Sequence, residues 1–242
     1  MRLPVFTLLP IVKRSLSPPI NELLSTLFSV EKRQMKDSSP DDFFGYWNAL
    51  DVSESPDGLS VGAYDIMFNW ERPLMESFAR LLLDEPGDLL EIGFGAGIAA
   101  TEFQLRAPKT HTILEPHPKL FERAVAWKEN YRTEIRLVRD FWQHQVHRMG
   151  RFNAIFYDSY SPAERVEEDS FAFFRLAAEH LLVPGGKLGF WHPGTALRES
   201  FQRELLTLFR QLTIYPVHGL EPTPECRRKG FGSTMIAPVA KL

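Results

Sequence analysis

The sequence predicts an α/β fold in which a mostly parallel sheet of seven strands carries helices on both faces. Three observations lead to this prediction. Helix and strand patterns alternate from Tyr64 onward, a glycine-rich turn follows the first of these strands, and the last two strands have a loop and no helix between them. The last pair predicts an antiparallel hairpin at one edge. In such sheets ligands bind at the carboxyl ends of the strands, so the residues directly after each strand are the first functional candidates.

The alternating segments are assigned from the period of their hydrophobic residues and from the proline and glycine residues that mark their ends. The predicted strands cover residues 88–92, 110–114, 134–138, 153–157, 187–191, 212–217 and 234–237. The predicted helices cover residues 72–83, 98–104, 119–130, 167–182 and 196–212. Pro73 suits the first turn of the first helix, and Pro184-Gly185-Gly186 predict the turn that ends the fourth.

Composition excludes several classes of protein. A chain of 242 residues with 44% hydrophobic content can bury one large core, and its net charge of -3 argues against a nucleic-acid partner. The single cysteine, Cys226, excludes a disulfide framework and a cysteine-rich zinc site, so we predict no metal and a cytoplasmic location. The apolar segment 3–12 is shorter than the roughly 20 residues of a transmembrane helix, which predicts no membrane association.

The beginning of the chain differs from the rest. Residues 1–62 are predicted to be a partly irregular arm or lid, and residues 63–242 the main domain. A terminal arm is favoured over a cleaved signal or transit peptide. Residues 53–60 have the composition of a loop. The aromatic cluster before them is too apolar for a free linker, and we expect it to fold back onto the body. Its members are Phe43, Phe44, Tyr46 and Trp47.

The glycine-rich turn after the first strand reads E-x-G-x-G-x-G. Its residues include Glu91, Gly93, Phe94, Gly95 and Gly97. Glycines spaced by two let the backbone turn sharply and approach a ligand without an intervening Cβ. The third glycine comes one residue earlier than in the dinucleotide-binding fingerprint, and no lysine follows as in a P-loop. The pattern resembles the S-adenosylmethionine site of Rossmann-like methyltransferases.

Residues after the next two strands support the same cofactor. Glu115 follows the second strand, where a carboxylate can accept hydrogen bonds from both hydroxyls of a ribose. The alternative is an acid stabilised by the dipole of the following helix. After the third strand, Asp140 and Trp142 offer an acid and an aromatic face for adenine, although Trp142 also suits a core position. We therefore predict S-adenosylmethionine as the cofactor.

Longer segments resemble the guanidinoacetate N-methyltransferase family, from about Met67 to the C-terminus. Residues 67–75 resemble the family's M-x-x-W-E-x-P-x-M segment, and residues 155–160 resemble I-L-Y-D-T-Y. Further similar segments are residues 91–100, with the phenylalanine between the glycines, 182–186, 225–227 and 235–238. The resemblance implies a class I methyltransferase that acts on a small guanidino compound. Its product is creatine if the acceptor is guanidinoacetate.

The resemblance also implies which residues act. Glu71 and Asp158 hold the guanidinium between two carboxylates, and Asp158 removes a proton. A guanidinium presents forked donors that match carboxylates, and partial desolvation makes a carboxyl group a stronger base. The alternatives are an acid at a helix start for Glu71 and a loop cap for Asp158. Further implied cofactor contacts are Met67, Met75 and Asp158, and further implied acceptor contacts are Tyr160, Gly194, Thr195 and Trp47.

Two departures from the family pattern leave the acceptor open. Pro193 stands where the family binds the acceptor carboxylate with backbone amides, and proline has no N–H to donate. The run 228–230 replaces aromatic residues. Alternative acceptors are free arginine, another amino or guanidino metabolite, or protein arginine, the last disfavoured because no double-glutamate loop is recognisable. A non-catalytic S-adenosylmethionine-binding regulator is a further alternative. We expect a monomer or homodimer.

Overall fold

The computed structural model describes residues 40–161 and 165–242, with side chains from residue 43 onward within these ranges. The chain divides into two compact units, Met1–Phe43 and Phe44–Leu242, and the sheet and the candidate site belong to the second. Most of the predicted N-terminal arm, residues 1–39, lies outside the described residues. In the part of the chain that is described, no helix combines the length and the apolar composition needed to cross a membrane.

The strands and helices follow one another in the alternation that the sequence predicts. The strands are β1 (Val52–Ser55), β2 (Gly58–Val61), β3 (Tyr64–Phe68), β4 (Asp88–Ile92), β5 (Thr110–Leu114), β6 (Glu134–Val138), β7 (Phe152–Tyr157), β8 (Leu182–Phe190), β9 (Gln211–His218) and β10 (Thr234–Lys241). The α-helices are α1 (Pro40–Ala49), α2 (Arg72–Leu82), α3 (Ile98–Gln104), α4 (Pro118–Lys128), α5 (Trp142–Gln145), α6 (Val166–Leu176), α7 (Glu199–Leu208) and α8 (Pro224–Arg228). A short 3-10 helix, Asn69–Glu71, precedes α2.

The main sheet has seven strands in the order β6-β5-β4-β7-β8-β10-β9. The pairs from β6 to β8 are parallel, whereas β10 is antiparallel to both β8 and β9. The predicted fold class is therefore confirmed, including the antiparallel hairpin at the edge. Parallel pairing brings the carboxyl ends of five strands to one edge of the sheet, where the predicted site residues lie.

Both faces of the sheet are buried, as the central strand β4 shows. Leu89 and Leu90 are neighbours in sequence and both are fully buried. Because successive side chains of a strand point to opposite faces, they enter different cores. Leu89 packs in a cluster with Phe78 of α2, and Leu90 in a cluster with Phe174 of α6. Two such helical layers are what a doubly covered sheet requires.

Three local predictions are wrong. The loop predicted at 53–60 is instead the hairpin of β1 and β2, which turns at Pro56 and Asp57 and pairs with β3 in a small antiparallel sheet. The turn predicted at Pro184-Gly185-Gly186 is a bulge within β8, because the partners of β7 jump from Leu182 to Lys187. The last two strands are separated by the short helix α8.

The larger unit begins at Phe44, before the predicted domain boundary at residue 63. The reason is aromatic burial from α1. The rings of Phe44 and Phe141 stack with centroids 3.8 Å apart, and the Trp47 ring stacks on Tyr160. Phe44 and Trp47 thus fold back onto the body as expected, whereas Tyr46 is 36% exposed.

Candidate active site

The glycine turn between β4 and α3 depends on backbone conformations that favour glycine. Gly93, Gly95 and Gly97 have φ angles of 90°, 54° and 76°. A Cβ added to Gly93 would lie 2.3 Å from the carbonyl oxygen of Asp158, so only glycine allows the ends of β4 and β7 to approach this closely. The turn is thereby fixed beside the residue that the resemblance makes the proton acceptor.

Glu115 holds the turn in shape from the end of β5. One carboxylate oxygen accepts hydrogen bonds from the amides of Phe94 (3.0 Å) and Gly95 (3.3 Å), and the other accepts from the His117 amide at 2.8 Å. Burial raises the pKa of the Glu115 carboxyl, and these N–H donors oppose the rise. The carboxylate therefore lies at the predicted edge beneath the turn, while its contact with a ribose stays a prediction.

Two other side chains of the motif point into the protein. The Glu91 carboxyl is fully buried, 2.8 Å from His111 Nε2 on β5. Burial raises the pKa of Glu91 well above its ordinary value and lowers that of His111 to about 3, which favours a neutral pair. The Phe94 ring is 1% exposed and packs edge-on against Trp127. Glu91 and Phe94 therefore support the turn from below.

The two methionines predicted to contact the cofactor have different positions. Met67 borders the turn, since a Cβ added to Gly95 would lie 3.5 Å from its terminal methyl carbon. Met75 is fully buried in the core cluster beneath α2. The structure therefore places Met67 beside the glycine turn and gives Met75 a place in the core.

Asp140 and Trp142, predicted to bind adenine, have partners within the protein. Asp140 accepts hydrogen bonds from the Phe141 amide at 2.8 Å, His144 Nδ1 at 2.9 Å and Gln145 Nε2 at 2.6 Å. Burial raises the pKa of Asp140, but the bonds from Gln145 and His144 outweigh it and leave the pKa below its ordinary value. The Trp142 ring is buried edge-on against Phe173, so the core alternative describes its position.

A cavity of about 660 Å³ opens beside the turn at the carboxyl ends of β7 and β8. It brings together Glu71, Asp158 and Tyr160, which are far apart in sequence. Gly194 and Thr195 are exposed in the loop after β8 and lie outside its lining. The structure therefore joins the two predicted carboxyls but does not bring the two predicted amides to them.

The Glu71 carboxyl is 3% exposed and held by two N–H donors. The Phe68 amide donates to one oxygen and Trp191 Nε1 to the other, each at 2.9 Å. Burial raises the pKa of Glu71 to about 7, and the two hydrogen bonds oppose the rise. Near neutral pH this group is therefore balanced between its charged and neutral forms.

Asp158 follows β7 and is half-buried in the cavity wall. Burial raises its pKa well above the ordinary value, and the neighbouring carboxyls of Glu71 and, secondarily, Glu91 add to the rise. Two neighbouring carboxyls that disfavour each other's ionisation are stabilised by a cation placed between them. A planar guanidinium, with several N–H donors, matches such a pair.

Aromatic side chains cover one side of this cavity. Trp47 stacks on Tyr160 with centroids 4.8 Å apart and planes 10° apart, and Tyr64 lies 4.9 Å from Tyr160. Tyr160 and Tyr64 line the cavity, whereas Trp47 stands behind Tyr160. Trp47 therefore lies outside the cavity lining, and its predicted contact with an acceptor stays a prediction.

The cavity residues that were not identified from the sequence include Trp191, His192 and Arg198. Trp191 and His192 directly follow β8, so the rule that ligands bind after strand ends points to both of them. Arg198 comes just before α7 and has no motif around it. Among the described residues, no group of three or more His, Cys, Asp or Glu side chains is placed to hold a metal ion.

Comparison with solved structures supports the fold. The chain is similar to a spermidine synthase from Thermotoga maritima, with a TM-score of 0.57 and 16% identity over 79% of this chain and 68% of the other. It is also similar to the N-methyltransferase NodS from Bradyrhizobium japonicum, with a TM-score of 0.53 and 18% identity over 71% and 96%. At these identities the likeness concerns the fold alone.

Two curated relatives carry the name Protein arginine N-methyltransferase 2. The relative from Cryptococcus neoformans is 28% identical over 162 residues, and that from Saccharomyces cerevisiae is 30% identical over 126 residues. The matches cover 55% and 47% of this chain but only 44% and 28% of those proteins. The chain therefore spans less than half the length of either relative.

A family model described as guanidinoacetate N-methyltransferase matches residues 44–214. The match includes the glycine turn, both cavity carboxyls and every strand of the parallel part of the sheet. Since it covers well over half of the sequence, the chain belongs to the guanidinoacetate N-methyltransferase family, with the class I methyltransferase fold that the sequence predicts.

Proposed function

We propose that this chain is an S-adenosylmethionine-dependent N-methyltransferase that acts on a guanidino group. The observation that carries the proposal is the meeting of Glu71 and Asp158 in one cavity beside the glycine turn. Each carboxyl has a raised pKa, and each is more easily ionised when a cation lies beside it. An acceptor with a guanidinium supplies that cation.

The cofactor edge has the features that S-adenosylmethionine requires. Gly93, Gly95 and Gly97 carry no Cβ, Met67 borders the turn that they form, and Glu115 stands at the next strand end. We assign these residues to the cofactor. Bound there, S-adenosylmethionine supplies an electrophilic methyl group on a positively charged sulfur. Since Gly93 touches the Asp158 backbone, the cofactor edge and the acceptor cavity are adjacent.

The two carboxyls have separate parts in this proposal. Glu71, held by Phe68 and Trp191, accepts hydrogen bonds from the acceptor's N–H groups and localises positive charge on the nitrogens that do not react. Asp158 binds the guanidinium and accepts the proton that the attacking nitrogen loses, since its raised pKa makes it a stronger base. The cavity walls would orient the attacking nitrogen toward the methyl group of a bound cofactor.

Two acceptors fit this chemistry. A small guanidino acid is favoured by membership in the guanidinoacetate N-methyltransferase family, and guanidinoacetate itself would give creatine. An arginine side chain of a protein is favoured by the name of the curated relatives, against the expectation from the missing double-glutamate loop. We propose the small guanidino acid as the acceptor. We also propose that the protein works in the reducing cytoplasm, where its single cysteine, which is buried and free, stays a thiol.

The test uses the purified chain, S-adenosylmethionine with a labelled methyl group, and a panel of acceptors. The panel contains guanidinoacetate, longer guanidino acids, free arginine and an arginine-containing peptide. We expect label on a guanidino nitrogen of at least one small acid, located by mass spectrometry. Label on the peptide alone would favour the second candidate. No transfer to any guanidino compound would overturn the proposal.

A further inference from the structure

His192 is a buried polar side chain in the lining of the acceptor cavity. It is 3% exposed, and neither ring nitrogen makes a well-formed hydrogen bond within residues 43–161 and 165–242. Burial and the charge of Arg198 lower its pKa to about 4, against a smaller opposing contribution from the Pro193 backbone, so the ring is neutral and carries one N–H donor at neutral pH. A buried ring in a cavity lining that lacks a well-formed hydrogen bond indicates a ligand that supplies the missing partner.

Arg198 is the cation beside this histidine in the cavity lining. Its Nη1 lies 3.0 Å from Glu167, and its guanidinium lies over the Phe201 ring, 5.3 Å from the centroid. His192 packs edge-on against the same ring, with centroids 5.4 Å apart. Phe201 therefore fixes both donors together. A guanidinium has five N–H donors, so the bond to Glu167 leaves others for a ligand.

The remaining charges of the cavity give it two different parts. Its acidic lining residues are Asp65, Glu71 and Asp158, and Lys229 Nζ already pairs with Asp65 at 2.5 Å. Glu71 and Asp158 are thus the acids that a cationic group would meet, while Arg198 and His192 are the donors that an anion would meet. A molecule with a cation and an anion at its two ends complements both parts.

We infer that His192 and Arg198 form an anion subsite that binds a carboxylate at the far end of the acceptor. This inference rests on the proposed function, because it assigns the other end of the same acceptor. Pro193 cannot donate a backbone hydrogen bond, and Gly194 and Thr195 lie outside the cavity lining, so side chains replace the amides predicted from the sequence.

The size of the cavity extends the inference to acceptor length. About 660 Å³ lies within the range of roughly 300–1,000 Å³ found for pockets that hold drug-sized ligands. The cavity therefore has room for a guanidino acid with several methylene groups between its two ends. A guanidino compound of the same length without the carboxylate leaves both donors unpaired, which weakens its binding.

The experiment compares two probes of matched chain length, 4-guanidinobutanoate and propylguanidine. We expect the wild-type protein to prefer the acid by about tenfold in kcat/KM, as charged hydrogen bonds of this kind allow. Arg198→Gln and His192→Phe should each lower the value for the acid by about tenfold, mainly through KM, and change that for propylguanidine less than about twofold. Arg203→Gln, an exposed arginine of α7, is the matched control and should change neither.

The outcomes separate this inference from the proposed function. Equal losses for both probes, or no loss for the acid in Arg198→Gln, would overturn the subsite. Equal use of both probes by the wild-type protein would overturn the subsite and leave the methyltransferase intact. If the wild-type protein methylates neither these probes nor any other guanidino compound of the acceptor panel, the proposed function fails. Calorimetric binding of the same probes to the same variants then decides the subsite without turnover.

Discussion

The glycine turn that we assign to the cofactor, the cofactor edge, and the cavity that we assign to the acceptor lie side by side but are built from different parts of the chain. The cofactor edge is one short turn, Gly93–Gly97, whose backbone is held by Glu115 while the Glu91 and Phe94 side chains lie beneath it. The acceptor cavity is a set of side chains from separate segments, with Glu71 before α2 and Asp158 after β7. We therefore expect a substitution in the turn to act by changing the backbone conformation. A substitution in the cavity should act by changing the chemical groups that meet the acceptor.

The largest effect is expected where the two regions touch. Gly93→Ala places a Cβ 2.3 Å from the Asp158 carbonyl oxygen at a φ of 90°, so the ends of β4 and β7 must separate. We expect a loss of about 3 kcal/mol or more in the free energy of unfolding, together with loss of cofactor binding. Denaturant titration and calorimetry measure the two effects. Gly150→Ala, with open space around its Cβ, is the control.

Asp158→Asn should impair the proton transfer without changing the conformation of the site. The amide is nearly isosteric but cannot take the proton from the attacking nitrogen, so we expect kcat to fall by about a thousandfold. Binding of S-adenosylmethionine should stay within about twofold in calorimetry, since the turn is intact. Asp84→Asn, at an exposed site remote from the cavity, serves as the control. Full activity of Asp158→Asn would show that this residue is not the base.

Glu71→Gln should act on acceptor binding. The amide keeps one acceptor oxygen but sets an NH2 group against the Phe68 amide or Trp191 Nε1, and it lacks the charge that attracts a guanidinium. We expect KM for the acceptor to rise about tenfold to a hundredfold, with cofactor binding unchanged. Glu76→Gln, exposed on the helix α2 that follows Glu71, is the matched control. A variant that unfolds would instead favour the role of Glu71 as an acid at a helix start.

The smallest expected effect is the contribution of Glu71 to the pH dependence of the free energy of unfolding of the ligand-free protein. The pKa of Glu71 is about 7 when folded and near 4.5 when unfolded, so the folded state binds more protons between these values. The contribution of Glu71 is therefore fully present below pH 4.5 and is lost as the pH rises through 7. We expect it to lower the free energy of unfolding by about 1 kcal/mol per pH unit between pH 5 and 7. Subtracting the profile of Glu71→Gln isolates this slope, and identical profiles would contradict it.

The same contrast between the two regions explains what the sequence could predict. Leu89 and Leu90 show a strand buried on both faces, and the glycines after it form a local motif, so the sheet and the cofactor edge could be predicted. The hairpin of β1 and β2 was missed because β1 is mostly exposed and therefore has no alternating apolar pattern. Local spacing determines a turn but gives little information about a short exposed strand.

The acceptor cavity could be predicted only in part. Glu71 and Asp158 were proposed through a family resemblance. Trp191 instead gains its position from its hydrogen bond to Glu71, and His192 and Arg198 gain theirs from packing against Phe201 of α7. Trp142 is a residue for which the sequence position suggested ligand binding but the structure shows a core side chain. It follows a strand end, as a ligand-binding residue does, but its ring fills the core beside Phe173. Position after a strand indicates the edge of the sheet, and the direction of the side chain depends on tertiary packing.

The central claim is that Glu71 and Asp158 together receive a guanidinium, and proton release on binding tests it most directly. Both carboxyls have raised pKa values that a bound cation must lower, so binding at pH 6 to 7 expels protons. Calorimetric titration with propylguanidine, in buffers of different ionisation enthalpy, measures the number of protons that are released on binding. We expect net proton release in the wild-type protein and loss of most of that release and of the binding in Glu71→Gln and Asp158→Asn. Binding without proton release, at equal affinity in both variants, would contradict the account.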